Sequence, residues 1–271
     1  MTSPADVPAG TERRAGPIKA QLAVHVYGDV FGETVQCLVS ELRQDQQDVA
    51  WDVVYPANDA LVSRLRSETV SRAVDSGHDV LVWLDHDMVW TPGDLAGLVT
   101  RCASVKGVVA GLIPFRAEWM FGRGFPWRPL PGTKVGEIYP GDDRLLPAEK
   151  VGGGFVAFWV PALARMIEVL SSSADPALKV TRCRSAVEGL FWDVCRPVAV
   201  PYGDGREGFN YLSEDWALLM RLAACGVPAF AWTRPLIRHI GRKAFGVGDA
   251  LGIPGPIDDV EAYVRSRSGT P

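Results

Sequence analysis

Two aspartates, Asp85 and Asp87, stand one residue apart directly after the apolar run VLVWL. In an open parallel sheet, ligands bind beyond the carboxyl ends of the strands, so a carboxylate pair at a strand end lies where a site is expected. If the backbone turns there, the two carboxylates repel each other, and a divalent cation removes that repulsion by accepting their oxygens as ligands. The pair therefore indicates a metal site, although an aspartate in such a triplet can also cap a turn.

A second acidic pair, Glu214 and Asp215, follows Ser213 in the segment SEDWALLMRLAACG. The sequence predicts a helix with Ser213 as its N-cap, and negative charge in the first turn interacts favourably with the helix dipole. An acid at a helix start that faces a cleft can also take a proton from a hydroxyl group. We assign both acids to the catalytic site, with Asp215 as the candidate base and Glu214 supporting the cap.

A late histidine, His239, lies beyond a predicted strand among basic residues in RPLIRHIGRKAFG. A neutral imidazole complements two aspartates as a metal ligand, whereas clustered cations suit a diphosphate. We predict a site for Mn²⁺ or Mg²⁺ on Asp85, Asp87 and His239. Arg242 and Lys243 are predicted to bind the diphosphate.

Alternating strand and helix patterns must position these groups. Apolar and β-branched runs predict strands at 20–27, 48–55, 79–85 and 107–115, and helical spacing predicts helices at 32–44, 57–77 and 92–103. The buried face of the first helix is expected to carry Val35, Leu38, Val39 and Leu42. Strands that alternate with helices of this length imply parallel β-α units.

The composition changes after Arg116, where Gly, Pro and aromatic residues predict a long loop or a hairpin over 117–147. Its aromatic side chains can either stack on sugar rings or pack locally: Trp119, Phe121, Phe125 and Trp127. Further on, the sequence predicts a strand at 151–160, a helix from Pro161, a helix at 213–225 and a strand at 228–232. One α/β domain at 19–246 is therefore expected, between a flexible arm at 1–18 and a tail at 247–271.

Length, charge and cysteine usage narrow the class of protein. A chain of 271 residues with 47% hydrophobic content fits a globular protein with one main core. A net charge of −4 lacks the basic excess typical of nucleic-acid binding, so nucleic acid is not the default partner. Five scattered cysteines without a C-x-x-C spacing indicate reduced thiols, and no apolar window approaches the roughly 20 residues of a membrane span. A cytoplasmic protein is expected.

With the two acidic pairs and the late histidine in this order, the chain resembles glycosyltransferases of the GT-A fold over residues 20–245. That family uses nucleotide-sugar donors and a divalent metal. The resemblance implies a Rossmann-related single domain with a mixed central sheet and helices on both faces. It also implies a nucleotide-sugar-binding half at 19–116 and an acceptor half at 117–246. The donor would be a UDP- or GDP-sugar, and the acceptor stays open, a modified base in nucleic acid included.

Motifs of this family fall on particular residues of the chain. The family's D-x-D binds the metal and the donor diphosphate, which implies that Asp85 touches ribose and metal and that Asp87 touches the metal. Its glycine-rich segment beside the acceptor matches Gly152 to Phe155 and implies binding by Gly153 and Gly154. The family's E-D pair at a helix start matches the second acidic pair.

The remaining motifs concern a histidine and an arginine. The late histidine that completes the metal shell in many members matches His239. The helix before the D-x-D commonly carries an arginine and a polar residue near the nucleotide, which corresponds to Arg66-Ser67 or to Arg64. Many relatives have Arg-Asn at this place, whereas this chain has Arg-Ser.

Two other functions remain open from the sequence. A phosphatase of the haloacid dehalogenase type also has an apolar run followed by D-x-D, with Asp85 as nucleophile and Asp87 as acid. That fold puts this aspartate on the first strand and needs a later acidic pair, for which Asp142 and Asp143 are the candidates. The third possibility is a carbohydrate-binding domain without turnover.

Overall fold

A computed structural model describes residues 16–26, 30–44, 48–56, 61–115, 125–138, 142–185, 189–202 and 207–240. The helices within these ranges are α1 Gly32–Arg43, α2 Val62–Asp75, α3 Asp94–Val105, α4 Val160–Leu170 and α5 Glu214–Ala224. The strands of the first half are β1 Ile18–His25, β2 Val49–Val54, β3 Val80–Asp85, β4 Met88–Val89 and β5 Val108–Gly111. Those of the second half are β6 Arg128–Pro129, β7 Leu145–Lys150, β8 Phe155–Trp159, β9 Arg182–Ser185, β10 Gly189–Trp192, β11 Val198–Pro201, β12 Phe209–Leu212, β13 Ala229–Trp232 and β14 Arg238–His239.

Eight of these strands form one mixed sheet in the order β2-β1-β3-β8-β5-β13-β7-β6. β1 is parallel to β2 and β3, and β5 is parallel to β13. β8 lies between β3 and β5 and runs antiparallel to both. The predicted α/β fold with a mixed central sheet is therefore confirmed.

Helices cover both faces of the sheet, as predicted. Along β3, Val80, Val82 and Leu84 belong to the core formed with α1 and α3. Leu81 and Trp83 belong to the core formed with α2, α4 and α5. This alternation follows from the two-residue period of a strand, and it makes β3 a fully buried central strand.

The antiparallel direction of β8 decides what lies beside the end of β3. Phe155, the first residue of β8, pairs with Leu84 near the end of β3. The backbone N–H of Asp85 donates to the carbonyl of Gly154 over 2.9 Å. The glycines that precede β8 are thereby brought to the edge where the parallel strands end.

The buried face of α1 differs from the predicted one. The helix buries Leu38 as predicted, together with Thr34 and Glu41. The other predicted core residues of this helix are exposed: Val35, Val39 and Leu42. The predicted helix is therefore correct, but its buried face is rotated about the helix axis relative to the predicted face.

Glu41 accounts for this rotation because it caps the start of α3. Its Oε2 accepts hydrogen bonds from the N–H of Gly93 over 2.6 Å and from Nε1 of Trp90 over 3.1 Å. Its Oε1 accepts from the N–H of Ala96 over 3.1 Å. A buried carboxylate needs such partners, so the side of α1 that carries Glu41 faces inward.

The second half contains a predicted hairpin and several elements that were not predicted. Where the sequence predicts a loop or a hairpin, β6 pairs antiparallel with β7, and β7 also joins the sheet beside β13. Two antiparallel ribbons, β9 with β10 and β11 with β12, were also missed. Phe125 is buried and Trp127 packs against the core, so these two aromatic residues pack locally. Trp119 and Phe121 lie outside the described residues.

Glycines end two helices as the sequence predicts. Gly77 follows α2 with φ of 66°, and Gly226 follows α5 with φ of 74°. Glycine adopts this left-handed conformation without steric cost, which stops a helix cleanly.

Other predictions have mixed outcomes. All five cysteines are free. Among the described residues, every helix is too short or too polar to cross a bilayer. Residues 1–15 of the predicted arm, the predicted tail, Arg242 and Lys243 lie outside the described part of the chain.

Candidate active site

Asp85 ends β3 on the face that packs against α2. It follows Leu81 and Trp83 at two-residue spacing, so its side chain points toward the helix that carries Arg66. Arg66 Nη2 donates to Asp85 Oδ1 over 3.0 Å and to Oδ2 over 3.3 Å. The first aspartate of the D-x-D therefore faces a guanidinium group.

Arg66 also reaches the second acidic pair. Its Nη1 donates to Oε1 of Glu214 over 2.8 Å, although the two residues are 148 positions apart. The guanidinium carbon lies 4.9 Å from the centre of the Trp83 ring. Of the two arginines that the sequence offered, Arg66 is buried at this position and Arg64 is exposed.

Asp215 is held by three donors rather than by a cation. Its Oδ2 accepts from the N–H of Gly153 over 3.1 Å, and its Oδ1 accepts from the N–H of Trp216 over 2.8 Å. The hydroxyl of Ser213 also donates to Oδ1. Ser213 is the N-cap residue as predicted, but its hydroxyl makes no capping bond to the helix.

The two acids of this pair make different contacts. Glu214, expected to support the cap, pairs with Arg66. Asp215 instead accepts the N–H of the following residue and joins α5 to the glycine segment. Glu214 faces the Asp85 side of the site, and Asp215 faces the glycines.

The two glycines beside these acids have no room for a side chain. A Cβ on Gly153 would lie 2.3 Å from Arg66 Nη1 and 3.1 Å from the Cβ of Asp215. A Cβ on Gly154 would lie 2.8 Å from Asp85 Oδ2. An alanine at either position would therefore displace the end of the charged side chain beside it.

Asp87 and His239 meet where the short strands β4 and β14 pair. Nε2 of His239 lies 3.2 Å from Asp87 Oδ2, and Nδ1 lies 3.1 Å from the carbonyl oxygen of Pro114. A carbonyl oxygen only accepts, so Nδ1 carries a proton. Nε2 lies within hydrogen-bonding and ion-pairing distance of the Asp87 carboxylate, so the two side chains contact each other directly.

This pair fits a divalent ion that completes its shell with phosphate oxygens and water. Mg²⁺ is commonly held by one or two protein carboxylates together with substrate phosphates. Asp85 faces Arg66 instead, and no three metal-ligating side chains converge within the described ranges. Two of the three predicted ligands, Asp87 and His239, are therefore adjacent, and the third is engaged elsewhere.

Burial perturbs the acids of this site. Burial raises the pKa of Asp85; Asp87 acts in the same direction, and Arg66 opposes both. Burial likewise raises the pKa of Glu214, with Arg66 opposing it and Asp215 adding to it. Perturbed carboxyl groups in one place are typical of functional sites.

Sequence reasoning missed His25, which ends β1 next to Asp85. The two residues are register partners, and His25 Nδ1 lies 3.9 Å from Asp85 Oδ1. Burial, and then the charge of Arg66, lower the pKa of His25 well below its usual value. A polar residue at the end of the otherwise apolar run AQLAVH was the signal that could have revealed it.

The acidic pair offered for a phosphatase has structural partners. Asp143 accepts from Arg101 over 2.8 Å and from Nε1 of Trp232 over 2.6 Å. Asp142 pairs with Arg144. The aspartate of the D-x-D lies on the third strand in chain order, and its carboxylate is bound to Arg66. These contacts do not favour the phosphatase hypothesis.

No family model matches the sequence, and neither does any curated protein. Among solved structures, A197 from STIV is 14% identical with a TM-score of 0.49, covering 86% of this chain and 92% of that chain. GalNAc-T7, whose crystal structure contains UDP, GalNAc and Mn²⁺, is 11% identical with a TM-score of 0.48, covering 92% of this chain and 48% of its own. A UDP-glucose pyrophosphorylase from Acinetobacter baumanii is 9% identical with a TM-score of 0.42, covering 87% of this chain and 90% of that chain. At these values, the likeness assigns neither a family nor a function to this chain.

Proposed function

We propose that the protein is a metal-dependent glycosyltransferase that transfers a sugar from a UDP- or GDP-sugar to an acceptor hydroxyl. The observation that supports it is the meeting of distant acidic residues at one edge of the sheet. Asp85 and Glu214 share one arginine, while Asp215 bonds to the glycine segment beside Asp85. The raised pKa of Asp85 and of Glu214 beside a glycine-lined backbone suits a reaction that handles both a sugar and a proton.

The donor binds on the side of Asp85 in this proposal. Asp87 and His239 hold Mn²⁺ or Mg²⁺, and Asp85, which is held by Arg66, contacts the ribose. When bound, the ion neutralises the charge that develops on the leaving diphosphate. Arg242 and Lys243 are proposed to contribute positive charge to the same diphosphate.

The acceptor binds on the side of α5. Asp215 takes or orients the proton of the acceptor hydroxyl, because a carboxylate held by three donors keeps one orientation. Glu214 lies beside it and is oriented by Arg66. Gly153 and Gly154 leave room for the Arg66 and Asp85 side chains beside the backbone between the two carboxylate groups.

Donor binding is the first test. Calorimetry with UDP and with GDP, each with MnCl₂ or with a chelator, should detect affinity that depends on the metal. We expect Asp87→Ala to abolish the metal-dependent part, whereas the surface control Asp52→Ala retains it. Equal affinity with metal and with chelator in the unmodified protein would count against the proposal.

Turnover is the second test. Mass spectrometry after incubation with UDP-, GDP- and dTDP-sugars should reveal sugar transfer or slow donor hydrolysis. We expect no hydrolysis of p-nitrophenyl phosphate and no trapping of Asp85 by beryllium fluoride. Robust phosphatase turnover that is lost in Asp85→Asn would favour the haloacid dehalogenase hypothesis instead.

A further inference from the structure

Arg66 connects the two sides of the site through one guanidinium group. Its Nη2 binds Asp85 over 3.0 Å and its Nη1 binds Glu214 over 2.8 Å. The Arg66 side chain is only 4% exposed, compared with 22% for Asp85 and 18% for Glu214. A molecule that enters the site therefore meets the carboxylates before it meets Arg66.

The space around the guanidinium group is closed. Trp83 covers it at 4.9 Å, and the backbone of Gly153 passes so close that a Cβ there would lie 2.3 Å from Nη1. Arg66 is also anchored at its own helix, where the hydroxyl of Thr69 donates to its carbonyl over 2.8 Å. A planar, five-donor group that is enclosed in this way keeps a fixed geometry toward both carboxylates.

We infer that Arg66 is a positioning residue that holds Asp85 and Glu214 in one arrangement, and not the nucleotide ligand that the sequence predicts. The inference rests on the proposed function, because the arrangement it fixes joins the proposed donor side to the proposed acceptor side. Without a cation between them, the two partly buried carboxylates would repel each other and separate. A lysine presents a single point charge and cannot bind both in the same geometry.

The functional test compares three variants. Arg66→Lys keeps the positive charge but loses the planar group whose two nitrogens bind the two carboxylates. Gly153→Ala displaces the guanidinium group without removing it. Arg72→Lys is a matched control on the exposed side of the same helix. Each is assayed for affinity toward UDP or GDP with MnCl₂ and for kcat and KM of donor turnover. We expect nucleotide affinity within about threefold of the parent and kcat lowered at least about tenfold in the first two variants, with no change in the control.

A loss of nucleotide affinity without a loss of kcat, or no loss of kcat in either variant, would overturn the inference. If Arg66→Lys weakened nucleotide binding about tenfold or more while kcat at saturating donor stayed unchanged, Arg66 would be a ligand of the nucleotide. If Arg66→Lys and Gly153→Ala both turned over at the parental rate, the arrangement would not matter to the reaction. Either result contradicts a positioning role.

A measurement without nucleotide tests whether Arg66 bridges Asp85 and Glu214. Its result does not depend on whether the proposed function is correct. Thermal unfolding is compared for Arg66→Met, Glu214→Gln and the double variant. Arg66→Met removes the buried partner of the Glu214 ion pair, so we expect it to lower Tm by roughly 5–10 °C. In the Glu214→Gln background, the same substitution should lower Tm by less than half as much. Additive shifts would show that Arg66 does not hold Glu214. If no nucleotide bound to the parent protein, the proposed function would fail, and this cycle alone would decide the bridge.

Discussion

The two halves of the chain bring residues to the site in opposite ways. In the first half, the parallel strand β3 brings its last residue, Asp85, to the functional edge of the sheet. In the second half, the antiparallel strand β8 brings the residues before its first, Gly153 and Gly154, to that same edge. A mixed sheet can therefore place a strand end and a strand start side by side, which an all-parallel sheet cannot do.

This difference suggests a division of work. Asp85 and Asp87 follow a buried strand that is sealed on both faces, so their positions are set by the core. Asp215 starts a helix and is held by hydrogen bonds to the glycine segment. In the proposed function, Asp85 and Asp87 belong to the donor side together with His239 from the second half, whereas Asp215 belongs to the acceptor side.

The largest expected effect concerns Asp215 and tests this division directly. We expect Asp215→Asn to lower the rate of transfer about 10²- to 10⁴-fold, because a positioned base is lost. Nucleotide affinity should change little, because Asp215 lies on the acceptor side in this proposal. Initial rates and calorimetry on the same preparation measure both quantities.

Ser213→Ala serves as the matched control for Asp215→Asn. It removes one donor to the Asp215 carboxylate but leaves the carboxylate itself. Its transfer rate should fall far less. If transfer in Asp215→Asn stayed within a few-fold of the parent, Asp215 would be a helix-start residue only, and the division of work would be wrong.

The next effect in size concerns the scaffold of the first half. We expect Leu38→Ala to lower the free energy of unfolding by about 2–4 kcal/mol, since it leaves a cavity under α1. Leu42→Ala, on the exposed side of the same helix, should change it by less than about 0.5 kcal/mol. Urea unfolding of the two variants measures the difference, and equal losses would contradict the observed face of α1.

The smallest effect concerns Asp94 at the start of α3. Burial raises the pKa of Asp94 to about 6; Glu41 acts in the same direction, whereas Arg234 and Arg101 oppose it. Because the folded-state pKa lies above the unfolded value, this group stabilises the fold fully below about pH 4, and that contribution is lost as the pH rises through about 6. We expect Asp94→Asn to be more stable than the parent by about 1–2 kcal/mol at pH 8, after allowing for solvent screening.

Unfolding of both proteins at pH 4 and at pH 8 tests the sign of this effect. The advantage of Asp94→Asn should be present at pH 8 and should vanish near pH 4, where the carboxyl group of the parent is also neutral. A variant that was less stable than the parent at pH 8 would indicate that the ionised carboxylate supports α3, and the first half would then tolerate charge better than its burial suggests.

Local signals in the sequence predicted much of the first half. Apolar runs identified β1, β2, β3 and β5, and a glycine marked the end of α2 correctly. The aspartates after β3 were recognisable because two carboxylates at the end of a buried strand are unusual. The rotated face of α1 was not predictable, since Glu41 turns inward only because α3 offers its free N–H groups.

Much of the second half depends on contacts between distant segments. The ribbon strands β9 to β12 have four residues each, too few for a clear two-residue period. The bridge from Arg66 to Glu214 spans 148 positions, so no local pattern announces it. The meeting of Asp215 with Gly153 likewise requires the packing of α5 against the glycine segment.

The central place of β8 also affects how the chain is made. Until β8 has been synthesised, β3 lacks one of its two neighbours and β5 lacks both, because β13, the other neighbour of β5, lies still later in the chain. About 50 further residues must follow β5, which takes roughly 2–10 s at about 5–20 residues per second. During that interval the nascent sheet has an open slot beside β3, with unpaired N–H and C=O groups, and such edges readily pair with other chains. We therefore expect a fragment that stops at residue 115 to aggregate, and co-translational shielding of this slot to improve the yield of the full chain.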